Sequence, residues 1–141
     1  MVDIDDLDDE EIVGRTIDGE AGGEGYAGQQ GVGDVIQERV VLNWQKETTP
    51  RGVCLHHMQF DCWLPGRDRN RILADDYVMP SQIRVIAQMV LKGTLDDITQ
   101  GATHYFDDSI KPPSWAAPNK FTVKIGRLNF YNLAPTQAAS S

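Results

Sequence analysis

The chain has 141 residues, of which 40% are hydrophobic and 24% charged, a composition typical of one globular domain. Its formal net charge of −8 at pH 7 argues against a broad surface for nucleic acids or anionic membranes. No run of about 18 apolar residues is present, and the acidic start MVDIDDLDDEE does not resemble a signal peptide, so we expect no membrane insertion and synthesis in the cytoplasm.

The first predicted helix covers residues 7–17. Acidic residues 8–11 fall in its first turn, where the helix dipole favours negative charge. Its apolar stripe at helical spacing consists of Ile12, Val13, Thr16 and Ile17. The glycine-rich stretch DGEAGGEGYAG that follows predicts a helix stop and a shaped loop.

A second helix is predicted over residues 27–42, and its core face consists of Val32, Val35, Ile36 and Val40. Glycines within this helix allow close packing but lower its intrinsic stability by about 1 kcal/mol each. Residues 46–79 show weak periodicity, which predicts an extended, partly irregular excursion. A further helix is predicted over residues 80–91, with Pro80 at its start.

The last third of the chain predicts β structure. Residues 103–106 form a short predicted strand, and KFTVKIGRLNFYNL predicts a hairpin that turns at Gly126-Arg127. The tail 134–141 is predicted to be frayed. The fold class is therefore α+β, a mainly helical single domain with its core over about residues 7–133 and a small β-hairpin element near the C-terminus.

Glu20 is the most suggestive residue for chemistry. It shares a helical face with Val13 and Ile17, so its carboxyl points inward at a helix C-terminus, where burial and the dipole both raise its pKa. A carboxylic acid protonated near neutral pH is what cleavage of a glycosidic bond needs. Glu24 is expected to be exposed and ionised. The alternative for Glu20 is an ordinary solvated residue at a helix end.

Three other features leave alternatives open. Cys54 and Cys62 are either buried free thiols or a disulfide. His56-His57 beside them invites a zinc site, but the ligand spacing is not standard, so we expect no metal and no cofactor. The basic run RDRNR at residues 67–71 is either a solvated loop or a contact for phosphate or carboxylate groups of the cell envelope.

Four ordered blocks carry a resemblance to a known family. TIDGEAGGEGYAGQQGVGDVIQERV resembles the opening motif of the SleB-type cell wall hydrolases, the family of the spore cortex-lytic enzymes. The blocks HHMQFDCW, GATHYFDDSIKPPSWA and KIGRLNFY resemble its later segments in the same order. Together they cover roughly residues 12–131. The chain departs from the pattern at Glu38, where the family has Asn, and at Asp61 and Cys62, where it has small residues.

The resemblance implies a lysozyme-like domain, with Glu20 as the catalytic acid and Glu24 matching the second Glu of the motif. It implies cleavage of the β-1,4 bond between N-acetylmuramic acid and N-acetylglucosamine, mainly as a lytic transglycosylase, with peptidoglycan glycan strands as the partner of a monomer. The candidates for lining the sugar cleft are Gln59, Phe60, Trp63, Thr103, His104, Tyr105, Trp115 and Tyr131. Their alternative role is packing in the core or at its rim.

A short version of this family without a signal peptide resembles a bacteriophage endolysin or a virion-associated lysin. Such a protein reaches the wall by holin-type release or as part of the virion. Two other function classes stay open: a non-catalytic peptidoglycan-binding or virion structural module, and an amidase that cuts the peptide stem.

Overall fold

The structure is a computed structural model that describes residues 1–134. Within that range the helices are α1 (Asp9–Ala21), α2 (Tyr26–Val41), α3 (Pro50–Leu55), α4 (Arg67–Ile72) and α5 (Ser81–Lys92), and the strands are β1 (His104–Asp107), β2 (Phe121–Ile125) and β3 (Leu128–Tyr131). Short 3-10 turns lie at Ile4–Asp6, Trp44–Lys46, Asp61–Trp63 and Pro118–Lys120. No helix in residues 1–134 is long and apolar enough to cross a membrane.

Helix α1 begins two residues later and ends four residues later than predicted, with the acidic residues 9–11 in its first turn. The Asp8 side chain caps it by accepting the Glu11 N–H at 2.8 Å. Its predicted apolar face is fully buried against α2 and α5. The helix continues through Gly19, where the absence of a side chain leaves room for Cys62: a Cβ added at Gly19 would lie 2.5 Å from Cys62 Cβ. Glu20 is thus part of the last turn.

Helices α2 and α5 complete the helical core, within one residue of their predicted bounds. The glycines of α2 permit the predicted close packing, since a Cβ at Gly31 would lie 2.5 Å from the Phe130 ring. The face of α5 that carries Ile83, Ile86 and Val90 is buried in the same core. Burial of this apolar surface stabilises α2, which its own glycines would otherwise weaken.

The prediction of an extended excursion over residues 46–79 is wrong. Two short helices, α3 and α4, lie in it, separated by the 3-10 turn Asp61–Trp63. Thr49 caps α3 by accepting the Gly52 N–H at 3.0 Å, and Pro50 follows at the first helical position. Each helix has only six residues, too few for an amphipathic period to appear in the sequence.

The predicted strand and hairpin form one antiparallel sheet in the order β1-β3-β2. The hairpin turns at Gly126, whose φ of 58° suits glycine. On the other side of β3, His104 pairs with Tyr131 and Tyr105 with Phe130. The α+β class, mainly helical with a small β element, is confirmed. Of the predicted frayed tail 134–141, residues 135–141 lie outside the described part of the chain.

Both cysteines are free and buried, which favours the first of the two alternatives for them. Burial raises the pKa of the Cys54 thiol to about 12 and raises that of Cys62 further still. Neither thiol is therefore primed as a nucleophile. The backbone of Cys62, in contrast, takes part in the site described next.

Candidate active site

The carboxyl group of Glu20 is held by two segments that are distant in the sequence. Its Oε1 accepts a hydrogen bond of 2.6 Å from the Tyr105 hydroxyl on β1, and its Oε2 accepts one of 3.0 Å from the backbone N–H of Cys62. The side chain is half-buried at the end of α1. Helix, turn and strand therefore fix both carboxyl oxygens in one orientation.

The pKa of Glu20 is raised above its usual value, as its inward-facing position predicts. Burial is the largest cause because it disfavours the charged carboxylate, and the neighbouring Asp61 carboxylate adds to the effect. The hydrogen bonds from Tyr105 and Cys62 act in the opposite direction and only partly offset burial. The environment thus favours a proton on Glu20 at pH values where an exposed glutamate has lost it.

Glu20 opens into a cavity of about 370 Å³, which we call the amide cavity. Its walls carry two side-chain amides, two aromatic rings and an imidazole, groups that suit the faces and N-acetyl substituents of amino sugars. The lining residues are Glu20, Arg39, Gln45, Met58, Gln59, Asp61, His104, Tyr105 and Trp115. Four of the eight predicted cleft residues are among them: Gln59, His104, Tyr105 and Trp115.

His104 is a neutral polar group of this cavity. Burial and the nearby Arg39 guanidinium lower its pKa to about 4. Its ring lies 5.1 Å from the Trp44 ring and 5.0 Å from the Trp115 ring, and its Nδ1 is 2.9 Å from Thr103 Oγ1. Near neutral pH it can offer a hydrogen bond to a sugar, but no positive charge.

The other four predicted cleft residues lie away from the lining of the amide cavity. Phe60 is buried in the core, and Trp63 packs against the core with its Nε1 2.9 Å from Thr16 Oγ1. Thr103 is fully buried, and its hydroxyl accepts the Leu133 N–H. Tyr131 is buried among Phe106, Trp115 and Phe121. Their burial and core contacts fit the packing alternative.

Arg39 is a cavity residue that the sequence reading missed. It is 5% exposed, its Nε donates to Thr103 O at 2.8 Å, and its Nη1 donates to Gln59 Oε1 at 3.3 Å. Its guanidinium also lies over the Phe60 ring. A signal was present, since position 39 continues the buried helical spacing of Val32, Val35 and Ile36.

Gln45 and Met58 were also missed, and no sequence pattern points to them. Both have left-handed backbones, with φ of 56° and 60°, a conformation that non-glycine residues rarely adopt. Gln45 Oε1 faces His56 Nε2 at 3.1 Å, and His56 Nδ1 faces Glu47 Oε2 at 2.6 Å. His56 thus orients the side-chain amide of Gln45. Residues 1–134 contain no group of three or more His, Cys, Asp or Glu side chains that could hold a metal ion.

Glu24 is not exposed as predicted. Its side chain is 10% exposed and lies under the β2–β3 turn, where Arg127 donates to it from its backbone N–H at 3.2 Å and from Nε at 3.3 Å. The hairpin that covers it is about one hundred residues away in the sequence, so local glycines could not reveal it. Glu24 lines neither the amide cavity nor the second cavity bordered by Glu20, which is described next.

The second of these cavities, with a volume of about 420 Å³, lies on the α4 side of Glu20. We call it the arginine cavity. Its lining residues are Asp18, Gly19, Glu20, Gly22, Gly23, Arg67, Asp68 and Arg71. Glu20 is the residue common to the two linings, so it borders both cavities.

Comparisons with known proteins identify a family and a similar fold. The cell wall hydrolase family model matches residues 23–131, a segment that begins three residues after Glu20. The catalytic domain of the germination-specific lytic transglycosylase SleB from Bacillus anthracis has a similar fold, with a TM-score of 0.69 at 22% identity over 88% of this chain and 93% of that one. The catalytic domain of SleB from Bacillus cereus also has a TM-score of 0.69, at 24% identity over 88% of this chain and 89% of that one. No curated protein sequence matches the chain.

Proposed function

Because this chain belongs to the cell wall hydrolase family and is therefore an enzyme, we propose that it cleaves the glycan strands of peptidoglycan as a lytic transglycosylase, with Glu20 as the catalytic acid. The bond proposed is the β-1,4 link between N-acetylmuramic acid and N-acetylglucosamine. The single observation that carries the proposal is the Glu20 carboxyl group, which has a raised pKa and is oriented through both oxygens between two cavities. SleB from Bacillus anthracis, whose catalytic domain has a similar fold, is a lytic transglycosylase.

The proposed reaction begins with protonation. Protonated Glu20 transfers its proton to the glycosidic oxygen, the bond from C1 of the muramic acid to that oxygen breaks, and the oxygen leaves with the electron pair as a hydroxyl on the next sugar. The 6-hydroxyl oxygen of the same muramic acid then bonds to C1, and its proton passes to the Glu20 carboxylate. The product is a 1,6-anhydro sugar, no water is consumed, and Glu20 is protonated again.

This route needs one carboxylate, whereas hydrolysis normally uses two. Glu24 is held by Arg127, outside both cavities. Asp61 is the other carboxylate that lines the amide cavity, and it is exposed. Because of Asp61, the second candidate function is a lysozyme-type muramidase in which the Asp61 carboxylate activates a water.

Mass spectrometry of the products from purified bacterial cell walls tests the proposal. The expected products end in anhydro sugars and are lighter by one water than the corresponding hydrolysis products. Reducing ends without anhydro sugars would select the muramidase, and free amino groups without new sugar ends would select the amidase. Binding to the walls without any cleavage would support the non-catalytic module.

We further propose lysis of a bacterial host as the setting, with the enzyme released from the cytoplasm of a phage-infected cell by a holin-type pore or carried in a virion. This part of the proposal rests on the sequence resemblance. Expression in bacterial cytoplasm, with and without a co-expressed holin, tests the first route: lysis that requires both the holin and Glu20 is expected. Lysis that is the same without the holin would contradict holin-dependent release.

A further inference from the structure

We propose that the arginine cavity is a subsite for a carboxylate group carried by the muramyl sugars of the glycan strand, and that Arg67 binds this group. The inference rests on the proposed function and names a substrate feature that the Glu20 chemistry does not require. The carboxylate has two possible sources, the lactyl group of bare muramic acid or the peptide stem attached to it. Arg67 and Arg71 come from the basic run that has no role in the proposed bond cleavage.

The position of the cavity favours contact with a polymer. The arginine cavity and the amide cavity share Glu20 and have similar volumes, about 420 and 370 Å³. In this proposal, a strand whose scissile bond lies at Glu20 extends from one cavity into the other. Gly23 leaves the rim of the arginine cavity open, since a Cβ there would meet no atom within 4 Å.

The charges of the cavity single out Arg67. Arg71 is already engaged, because its Nη1 donates to Asp18 Oδ1 at 3.1 Å and its Nη2 donates to Asp18 O at 2.9 Å. Asp18 is buried and also accepts the Tyr77 hydroxyl, so it is not free to capture a second cation. The Arg67 side chain, in contrast, is exposed and makes no hydrogen bond or ion pair within residues 1–134. A guanidinium with free donors matches the geometry of a carboxylate, which is the anionic group that muramyl sugars carry.

The two sides of Glu20 thus offer different partners to the strand. In the amide cavity Arg39 is buried, and its side chain donates hydrogen bonds to Thr103 O and Gln59 Oε1. Asp68 also lines the arginine cavity, so the cavity is not a broadly positive surface. Arg67 acts there as a local hydrogen-bond donor. Such a site recognises one carboxylate at one place on the strand.

The test measures binding of soluble oligosaccharides of equal length to a Glu20→Gln variant, so that no substrate is consumed. Three probes are compared: stem-bearing muramyl oligomers, the same oligomers stripped to the lactyl carboxylate, and neutral chitin oligomers. We expect at least one acidic probe to bind about tenfold tighter than chitin, and Arg67→Gln in the same background to remove that difference. Arg69→Gln is the matched control, since Arg69 lies on the same helix, contacts Met1 and does not line the cavity.

The comparison of the two acidic probes identifies the source of the carboxylate. Equal affinity for all three probes, or a preference that survives Arg67→Gln, would overturn the inference. The proposed function fails separately, if the unmodified enzyme binds the acidic probes but cuts no cell wall. An enzyme that cuts cell walls, yet shows no Arg67-dependent preference, would keep the proposed function and lose the subsite.

Discussion

The Tyr105 hydroxyl lies 2.6 Å from Glu20 Oε1 and joins the first strand of the sheet to the last turn of the first helix. Burial and the adjacent Glu20 raise the pKa of Tyr105 well above its usual value, so the phenol keeps its proton throughout the working pH range. Tyr105 therefore serves as a fixed donor that both orients Glu20 and lowers its pKa. Without this donor, burial would raise the Glu20 pKa further.

Replacing Tyr105 with Phe is expected to shift the pH profile of cell wall cleavage. Activity requires protonated Glu20 and so falls as pH rises through the Glu20 pKa. Loss of the hydrogen bond raises that pKa, which moves the fall in kcat/KM to higher pH while the maximal rate drops. Tyr26→Phe, at an exposed tyrosine on α2, is the control. An unchanged pH profile for Tyr105→Phe would contradict this role.

Replacing Glu20 with Gln is expected to lower the rate of cell wall cleavage about a thousandfold, because an amide has no proton to give to the leaving oxygen. The fold should persist, since the amide keeps the shape of the carboxyl group and avoids burial of a charge. We expect the melting temperature at pH 7 to stay the same or rise. Full lytic activity in this variant would refute the catalytic assignment.

Replacing Gly19 with Ala tests the packing that presents the Cys62 N–H to Glu20. The new Cβ would lie 2.5 Å from Cys62 Cβ and 2.9 Å from its Sγ, so the turn at residues 61–63 must move. We expect a loss of activity of at least tenfold and a lower free energy of unfolding, by about 1–3 kcal/mol. Gly25→Ala is the control, because a Cβ there meets no atom within 4 Å. Equal activity of the two variants would show that the turn can shift without cost.

Glu24→Gln separates a structural role for Glu24 from a catalytic one. The ion pair with Arg127 is partly screened because Arg127 is 65% exposed, so we expect the free energy of unfolding to fall by only about 1 kcal/mol. Cleavage should fall far less than in Glu20→Gln. Equal losses in the two variants, each still folded by circular dichroism, would make Glu24 a second catalytic carboxylate.

Asp34 is expected to make stability depend on pH. It is 2% exposed, its Oδ1 has no hydrogen-bond partner within residues 1–134, and burial raises its pKa from 3.8 to about 7. The folded state therefore holds its proton more tightly than the unfolded state, so this residue's contribution to stability falls as pH rises from about 4 to 7, by up to about 1.4 kcal/mol per unit. Denaturant titrations of Asp34→Asn should show a smaller loss of stability between pH 5 and 8. An identical loss in both proteins would contradict the raised pKa.

Helices long enough to repeat an apolar pattern could be predicted from the sequence, as could the residues on their buried face. This applies to α1, α2 and α5, to the inward face of Glu20, and in retrospect to Arg39. Short helices could not be predicted, because six residues do not repeat an apolar pattern. Gln45 and Met58 line the cavity and have left-handed backbone conformations, which cannot be predicted from their residue types. The predicted exposure of Glu24 was wrong because the hairpin that covers this residue is distant in the chain.

The order of strands in the sheet has a consequence for how the enzyme is made. Among residues 1–134, β3 is the last strand in chain order, yet it is the central strand of the sheet and the hydrogen-bonded neighbour of β1, which carries Tyr105. A growing chain exposes Glu20 early in translation but lacks this support until residue 131 has left the ribosome. We therefore expect a chain that ends just before β3 to be inactive, because it retains Tyr105 in its sequence but lacks the strand that pairs with β1 and positions Tyr105 beside Glu20.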